Sequence, residues 1–176
     1  MKFFSALHDR IGPDNILTHW MLHSKLLMRI LCRIKFHTFQ KTSEFRPGAY
    51  AITCSKIHLG KNVIIRPGTM LFADSRASID GKIFIEDNVM IGSGVHVYVA
   101  NHRYDIKGMN IIDQGHYSAK DVILREGCWV GANSIILPGV EVGKRSVIAA
   151  GSVVTKSVPE NTVFAGNPAT QIKNIT

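Results

Sequence analysis

Cysteine is scarce and badly placed for cross-linking. Cys32, Cys54 and Cys128 are odd in number and far apart in the 176 residues, which excludes a disulfide framework, and no pair has the spacing of a zinc site. Aromatic residues make up 8% of the chain against 45% hydrophobic residues in all, so an interior must be built from aliphatic side chains. No apolar run is long and uncharged enough to span a bilayer, because the best candidate, residues 16–36, is interrupted by Lys25, Arg29 and Arg33. The first residues lack a charged segment followed by an apolar run and a small-residue cleavage site, so no secretory signal is expected. A reducing, cytoplasmic compartment is expected instead.

Acidic residues are also few. Lys and Arg total 21 against 13 Asp and Glu, a net charge of +8. Residues 1–48 hold eight Lys or Arg against three acids, giving +5 of that excess, and the rest of the chain contributes thirteen against ten. Such a distribution points to an anionic surface for the N-terminal segment more than to a nucleic-acid groove, and no nucleic-acid partner is expected. The length is one domain's worth.

What the chain has is a short repeat. Between Val122 and Val158 an aliphatic residue recurs every six positions, at Leu124, Val130, Ile136, Val142, Ile148 and Val154. Four residues after each comes a second small or apolar one: Cys128, Ser134, Val140, Ser146, Ser152 and Val158. Neither a strand of period 2 nor a helix of period 3.6 sets every sixth residue apart. With Val and Ile at about a fifth of the residues, five successive β-branched hits at that step arise by chance roughly once in three thousand. A fixed short period is the mark of a solenoid. Each unit is a short strand and a turn, three units make a triangular coil, and stacked coils bury an aliphatic column. The step is also present at Leu59, Ile65 and Leu71 and at Ile79, Ile85, Ile91 and Val97. Between these two runs it slips, so a widened corner or bulge is expected around residues 74–78.

The expected organisation is a helical appendage and linker over 1–50, an all-β solenoid over 51–160, and a C-terminal cap over 161–176 with Ile172 covering the end of the column. Residues 16–36 read as one helix, capped by Asp14 or Asn15. A basic stripe of Lys25, Arg29 and Arg33 runs along it, with an apolar side of Trp20, Leu27, Leu31 and Ile34. Two placements are open for this helix: packing on the solenoid or a neighbouring subunit, or a peripheral contact with the inner face of the cell membrane. Residues 101–121 break the periodicity, and a long irregular loop in a regular array is usually functional.

The repeats, together with ANHRYD and the segment from GCWVGANS to GNPATQIK, resemble the hexapeptide-repeat acyltransferases over roughly residues 52–175. They are most similar to the branch that O-acetylates sugars. The resemblance implies a left-handed parallel β-helix, a departure from the usual right-handed crossover. It also implies a homotrimer, acetyl-CoA as co-substrate in a groove between solenoids, no metal, and a sugar or glycan acceptor in surface polysaccharide or lipopolysaccharide assembly. His102 matches the family's catalytic histidine, and a neutral imidazole suits the removal of a hydroxyl proton. By matching position Trp129, Gly131 and Ala132 border the thioester, where a backbone N–H would steady an oxyanion. Ala149, Ala150 and Gly151 flank the pantetheine arm, followed by Thr155 and Lys156, with Gly166, Asn167 and Pro168 near the adenine end. Lys144, Arg145, Lys156 and Lys173 are the available cations for phosphates. For each small residue the alternative is a corner that admits nothing larger. Asn101, Arg103, Tyr104 and Asp105 flank the base as candidate acceptor contacts, with Arg66 and Asp74 on an earlier coil.

Other readings stay open. The family also N-acetylates amino or nucleotide sugars, and a solenoid can serve as a non-catalytic scaffold. The γ-class carbonic anhydrases share the fold and bind zinc through three histidines. Here His96 and His102 are six apart and His58 is a poor third. Cys128 occupies an inward repeat position, which speaks for direct transfer without an acyl-enzyme.

Overall fold

The computed structural model describes residues 9–12, 14–73 and 81–176. The expected bulge at 74–78, Ile79 and Asp74 lie outside the described residues. Short strands recur in three parallel-stacked sheets that form the faces of a left-handed β-helix. The first face holds Tyr50–Ile52, Met70–Phe72, His96–Tyr98, Ile135–Ile136 and Val153–Val154. On the second lie Thr38–Phe39, Ile57–Leu59, Ile83–Ile85, Val122–Leu124 and Glu141–Val142. The third runs from Glu44–Phe45 through Ile64–Ile65, Met90–Ile91, Trp129–Val130 and Val147–Ile148 to Thr162–Gly166. The chain passes from second to third to first face in each coil.

The step-of-six residues point inward as expected. Leu59, Ile65, Leu71, Leu124, Val130, Ile136, Val142 and Ile148 are fully buried, and so are Cys128, Ser134, Ser146 and Ser152 at the second inward positions. The serines are tolerated there because each is satisfied: Ser134 Oγ donates to Ala149 O at 3.0 Å and Ser152 Oγ to the same carbonyl at 2.6 Å. Corner backbone enters the left-handed region at Gly68, Gly94, Asn133 and Gly151, one above another between the third and first faces.

Four details differ from the sequence expectation. The solenoid begins before residue 51, since Thr38–Phe39 and Glu44–Phe45 already pair in parallel with the next coil; Phe39, Phe45 and Ala51 keep the inward step of six, but with Phe and Ala where later coils have Val, Ile and Leu. Residues 16–36 form two helices, α1 (Ile16–Met21) and α2 (Lys25–Lys35). Asn15 caps α1 through its side chain, accepting from Thr18 N at 3.2 Å, and Ser24 takes an extended conformation that starts α2 afresh. A strand at Arg10–Ile11 runs antiparallel to Tyr50–Ile52. At the other end the winding continues past Pro159 into Thr162–Gly166, which turns back as the antiparallel strand Ala169–Asn174. Ile172 is exposed on that outer strand, and Phe164 packs against the column in its place.

Candidate active site

The interruption in the solenoid is a folded finger. It leaves the corner between the first and second faces after Val99 and returns at Val122. Its two sides are tied by Lys120 N to Val99 O at 2.8 Å, Tyr117 N to Asn101 O at 3.0 Å and Arg103 N to Gly115 O at 2.9 Å. These rungs set His102 opposite His116 in an antiparallel bridge, with ring centroids 4.0 Å apart. Towards the tip, buried Gln114 acts as an internal strut: its Oε1 accepts from Ile106 N at 2.9 Å, and its Nε2 donates to Ile106 O and Met109 O. A satisfied buried amide of this kind fixes a loop conformation that periodicity does not.

His102 is exposed, as a base that meets a large acceptor must be. Asn101, Tyr104 and Asp105 share the finger with it, so the candidate base and acceptor contacts are brought together. Asp105 pairs with Arg103 at 2.7 Å, and that hydrogen bond holds its carboxyl below the usual carboxylate range. Tyr104 stands edge-on to Tyr117, centroids 5.7 Å apart. Sequence assigns no role to His116, Tyr117 or Gln114. The signal that points to them is the pair of glycines with positive φ, Gly108 and Gly115, which mark the turns of a folded finger.

The candidate donor residues lie on another edge. Trp129 is an exposed side chain of the third face; Gly131, Ala132, Ala149, Ala150 and Gly151 form the corner between the third and first faces. Gly131 is required by packing, for a Cβ there would lie 2.5 Å from Ala150 N. Gly151 has nothing within 4 Å of such a Cβ and is explained by its φ of +72°. Gly131 N–H is committed to Ile148 O at 2.8 Å, which removes it as an oxyanion donor. Among the described residues neither Ala132 N–H nor Ala150 N–H makes a hydrogen bond, and these two donors remain at this corner.

This geometry can be set beside known proteins. The profile described as bacterial transferase hexapeptide (six repeats) matches residues 121–156. A maltose O-acetyltransferase from Clostridium difficile 630 is 30% identical, over 86% of this chain and 76% of that one, with a TM-score of 0.71. The chain belongs to the hexapeptide-repeat acetyltransferases. Another member of the family, a Vibrio cholerae acetyltransferase solved in complex with acetyl coenzyme A, aligns at a TM-score of 0.75 and 26% identity, covering 90% of this chain and 85% of that one. A galactoside O-acetyltransferase of Lactococcus lactis is 40% identical over 62% of this chain and 51% of its own length. Across three curated relatives at 39%, 40% and 41% identity, the chain spans 62%, 51% and 44% of their lengths.

Not every candidate of this hexapeptide-repeat acetyltransferase converges. Lys144 and Arg145 lie at the corner between the second and third faces, where Lys144 pairs with Glu126 at 3.6 Å and Arg145 Nε donates to Asn161 Oδ1 at 2.8 Å. Thr155 and Lys156 are exposed at the corner of the first and second faces, one side removed from Ala150. Asn167 and Pro168 form the exposed turn before the last strand, which carries Lys173. Arg66 is exposed at an earlier corner, far in sequence from the finger. His58 and His96 sit on different faces: His58 stacks on Phe84, and His96 Nδ1 lies 3.0 Å from the Tyr98 hydroxyl. Among the described residues no three His, Cys, Asp or Glu side chains cluster as a metal site. A cleft of about 350 Å³ lies on the second face, lined by Thr38, His58, Phe84, Ile123 and Arg125, and none of the candidate base, donor or acceptor residues lines it.

Proposed function

We propose that the chain is an acetyl-CoA-dependent O-acetyltransferase that acts as a homotrimer on a sugar hydroxyl in surface polysaccharide or lipopolysaccharide assembly. The observation that carries this reading is the ordered finger with an exposed imidazole at His102, in a chain of this family. Acetyl-CoA supplies a thioester whose carbonyl carbon exchanges its bond to sulfur for one to the sugar oxygen. His102 takes the hydroxyl proton as that bond forms and returns it to the departing thiolate. Ala132 N–H faces the growing charge on the carbonyl oxygen. Gly131, Ala149, Ala150 and Gly151 leave the corner free of bulk for the pantetheine arm, Trp129 borders the thioester, and Thr155, Lys156, Asn167, Pro168 and Lys173 flank the phosphate and adenine end. Asn101, Tyr104 and Asp105 hold the acceptor.

Two observations support the trimer. The finger and the small-residue corner sit on different edges of one chain, so a complete site needs a second protomer. Two of the three outer faces are also apolar: Tyr50, Phe72, Tyr98 and Ile135 on the first, and Ile64, Val147, Met90 (49% exposed) and Trp129 (47% exposed) on the third. The second face instead carries Arg125 bridging Glu86 and Glu141 at 2.7 Å each. A closed ring uses two different patches of each protomer. A peripheral contact of residues 16–36 with the inner face of the cell membrane belongs to the same reading.

The test is release of CoA thiol and transfer of labelled acetyl over a panel of glycans and amino sugars. Acetylation of a hydroxyl acceptor by the wild-type trimer and not by His102→Ala is expected. Turnover by a monomer, or transfer to amines alone, overturns the reading.

A further inference from the structure

The helix pair leaves an apolar strip that nothing in the described chain covers. On α2 the side chains fall into three sectors. Met28, Leu31 and Cys32 are buried against the first coil; Lys25, Arg29 and Arg33 step along one flank at every fourth residue; Leu26, Leu27, Ile30 and Ile34 occupy the remaining sector in solvent. Leu26 is 68% exposed and Ile34 72%. On α1 Thr18 is buried, while Ile16, Leu17 and Trp20 stand out, Ile16 at 77% and Trp20 at 74%. The single apolar side expected from sequence is therefore two, one sealing the solenoid and the other facing away from it. Seven large apolar side chains within residues 16–34 exceed the scatter of a soluble surface.

Charge selects the occupant. Residues 15–43 hold five Lys or Arg and no Asp or Glu. Lys25, Arg29 and Arg33 enter no ion pair among the described residues, and Arg29 Nε is buried without a hydrogen bond. A second copy of the strip would bring the same unopposed cations against its own. A sheet of anionic headgroups over acyl chains matches both sectors at once. Position agrees. Helix α2 packs on Thr38–Phe39 and Glu44–Phe45, the edge strands of two faces, so the strip lies at an end of the prism and off the two apolar faces. Neither helix is long and apolar enough to cross a membrane.

We infer that the α1–α2 strip docks on an anionic lipid surface, with Trp20, Leu26, Leu27, Ile30 and Ile34 in the acyl boundary and Lys25, Arg29 and Arg33 at the headgroups. The inference rests on the proposed homotrimer for avidity alone: a ring presents its three strips on one side, and three weak contacts combine into a firm one.

The test is flotation of the full chain with phosphatidylcholine vesicles, with and without about a third phosphatidylglycerol. Binding at least about tenfold stronger to the anionic vesicles, and falling as salt is raised, is expected. Lys25→Gln, Arg29→Gln and Arg33→Gln together, and Leu27→Ser, Ile30→Ser and Ile34→Ser together, each lower it by about tenfold or more. These positions are exposed or half-buried, and unchanged circular dichroism checks that both variants fold. Failure of wild-type protein to float, equal binding to both vesicle types, or a serine variant that loses its trimer while still floating overturns the inference, the last by making the strip a protein interface. Turnover on a soluble acceptor is the separate readout. An inactive wild type that still floats sinks the transferase reading and supports docking.

Discussion

His102 and His116 face each other across an antiparallel bridge with ring centroids 4.0 Å apart and planes 36° from parallel. The candidate base is thus steadied by a second imidazole on the returning side of the finger. His102→Ala is expected to lower kcat by about 10²- to 10⁴-fold while leaving the KM for acetyl-CoA nearly unchanged, because the lost interaction is a proton transfer and not donor binding. His116→Ala is expected to lower kcat by about tenfold, and His116→Phe, which keeps a ring beside His102 and removes the nitrogens, separates packing from their contacts. Steady-state kinetics on the three variants check this. Equal loss in His116→Ala and His116→Phe would show that His116 acts through its nitrogens.

The three thiols are all buried. Burial pushes Cys128 up to about 12, with the Glu86 carboxylate adding to the effect, and raises Cys32 and Cys54 as well. Thiolate is the nucleophilic form, so none of the three is expected to carry an acetyl group near neutral pH. Native protein is expected to react with an aromatic disulfide reagent at a rate set by unfolding, and denatured protein to release three equivalents at once. Rapid labelling of Cys128 in the native protein, or an acetyl-cysteine trapped during turnover, would argue against direct transfer.

The inward column was legible because each of its residues meets the same environment: Leu124, Val130 and Ile136 repeat a chemical requirement, and repetition is visible in a string of letters. The finger's exit was legible for the opposite reason, as the place where the requirement lapses. What lay between Asn101 and Asp121 was not. Its shape depends on Gln114 reaching back to Ile106 and Met109, a contact with no period and no neighbour of its own type. The division of α2 into two apolar sides was hidden for a related reason. Leu27 and Leu31 have the same hydrophobicity, and only the position of the first coil decides that Leu31 is buried and Leu27 is not.

His58 lies between two rings, with His37 at 4.2 Å and Phe84 stacked at 4.6 Å, and pairs in register with Thr38. Burial lowers its pKa first, then the charges of His37 and Lys82, while Asp121 opposes them. The folded chain therefore binds fewer protons than the unfolded chain just below the ordinary imidazole value of about 6.5. Stability from this site is complete above that value and is lost as pH falls through it towards the lowered folded one. His58→Phe keeps the stack and removes the titration. Melting temperature measured from pH 7.5 down to pH 5 is expected to fall less steeply in His58→Phe than in wild type; parallel curves would assign the slope to other groups.

Gly131 and Gly151 sit at successive levels of one corner and are glycine for different reasons, which two substitutions can separate. At Gly131 a methyl group would press into the backbone of the next coil, 2.5 Å from Ala150 N and 2.8 Å from Ile148 O. No rotation relieves a contact with main chain, so Gly131→Ala must push hydrogen-bonded coils apart and is expected to cost about 3 kcal/mol or more. At Gly151 the methyl group meets open space and the penalty is the left-handed φ of +72° alone, about 1 to 2 kcal/mol. Denaturant unfolding of the two alanine variants measures the difference. If Gly151 also lines the pantetheine arm, Gly151→Ala raises the KM for acetyl-CoA beyond what its small loss of stability explains. A variant with unchanged KM and the expected stability loss would leave that glycine to the backbone alone and move the donor path towards Ala132 and Ala149.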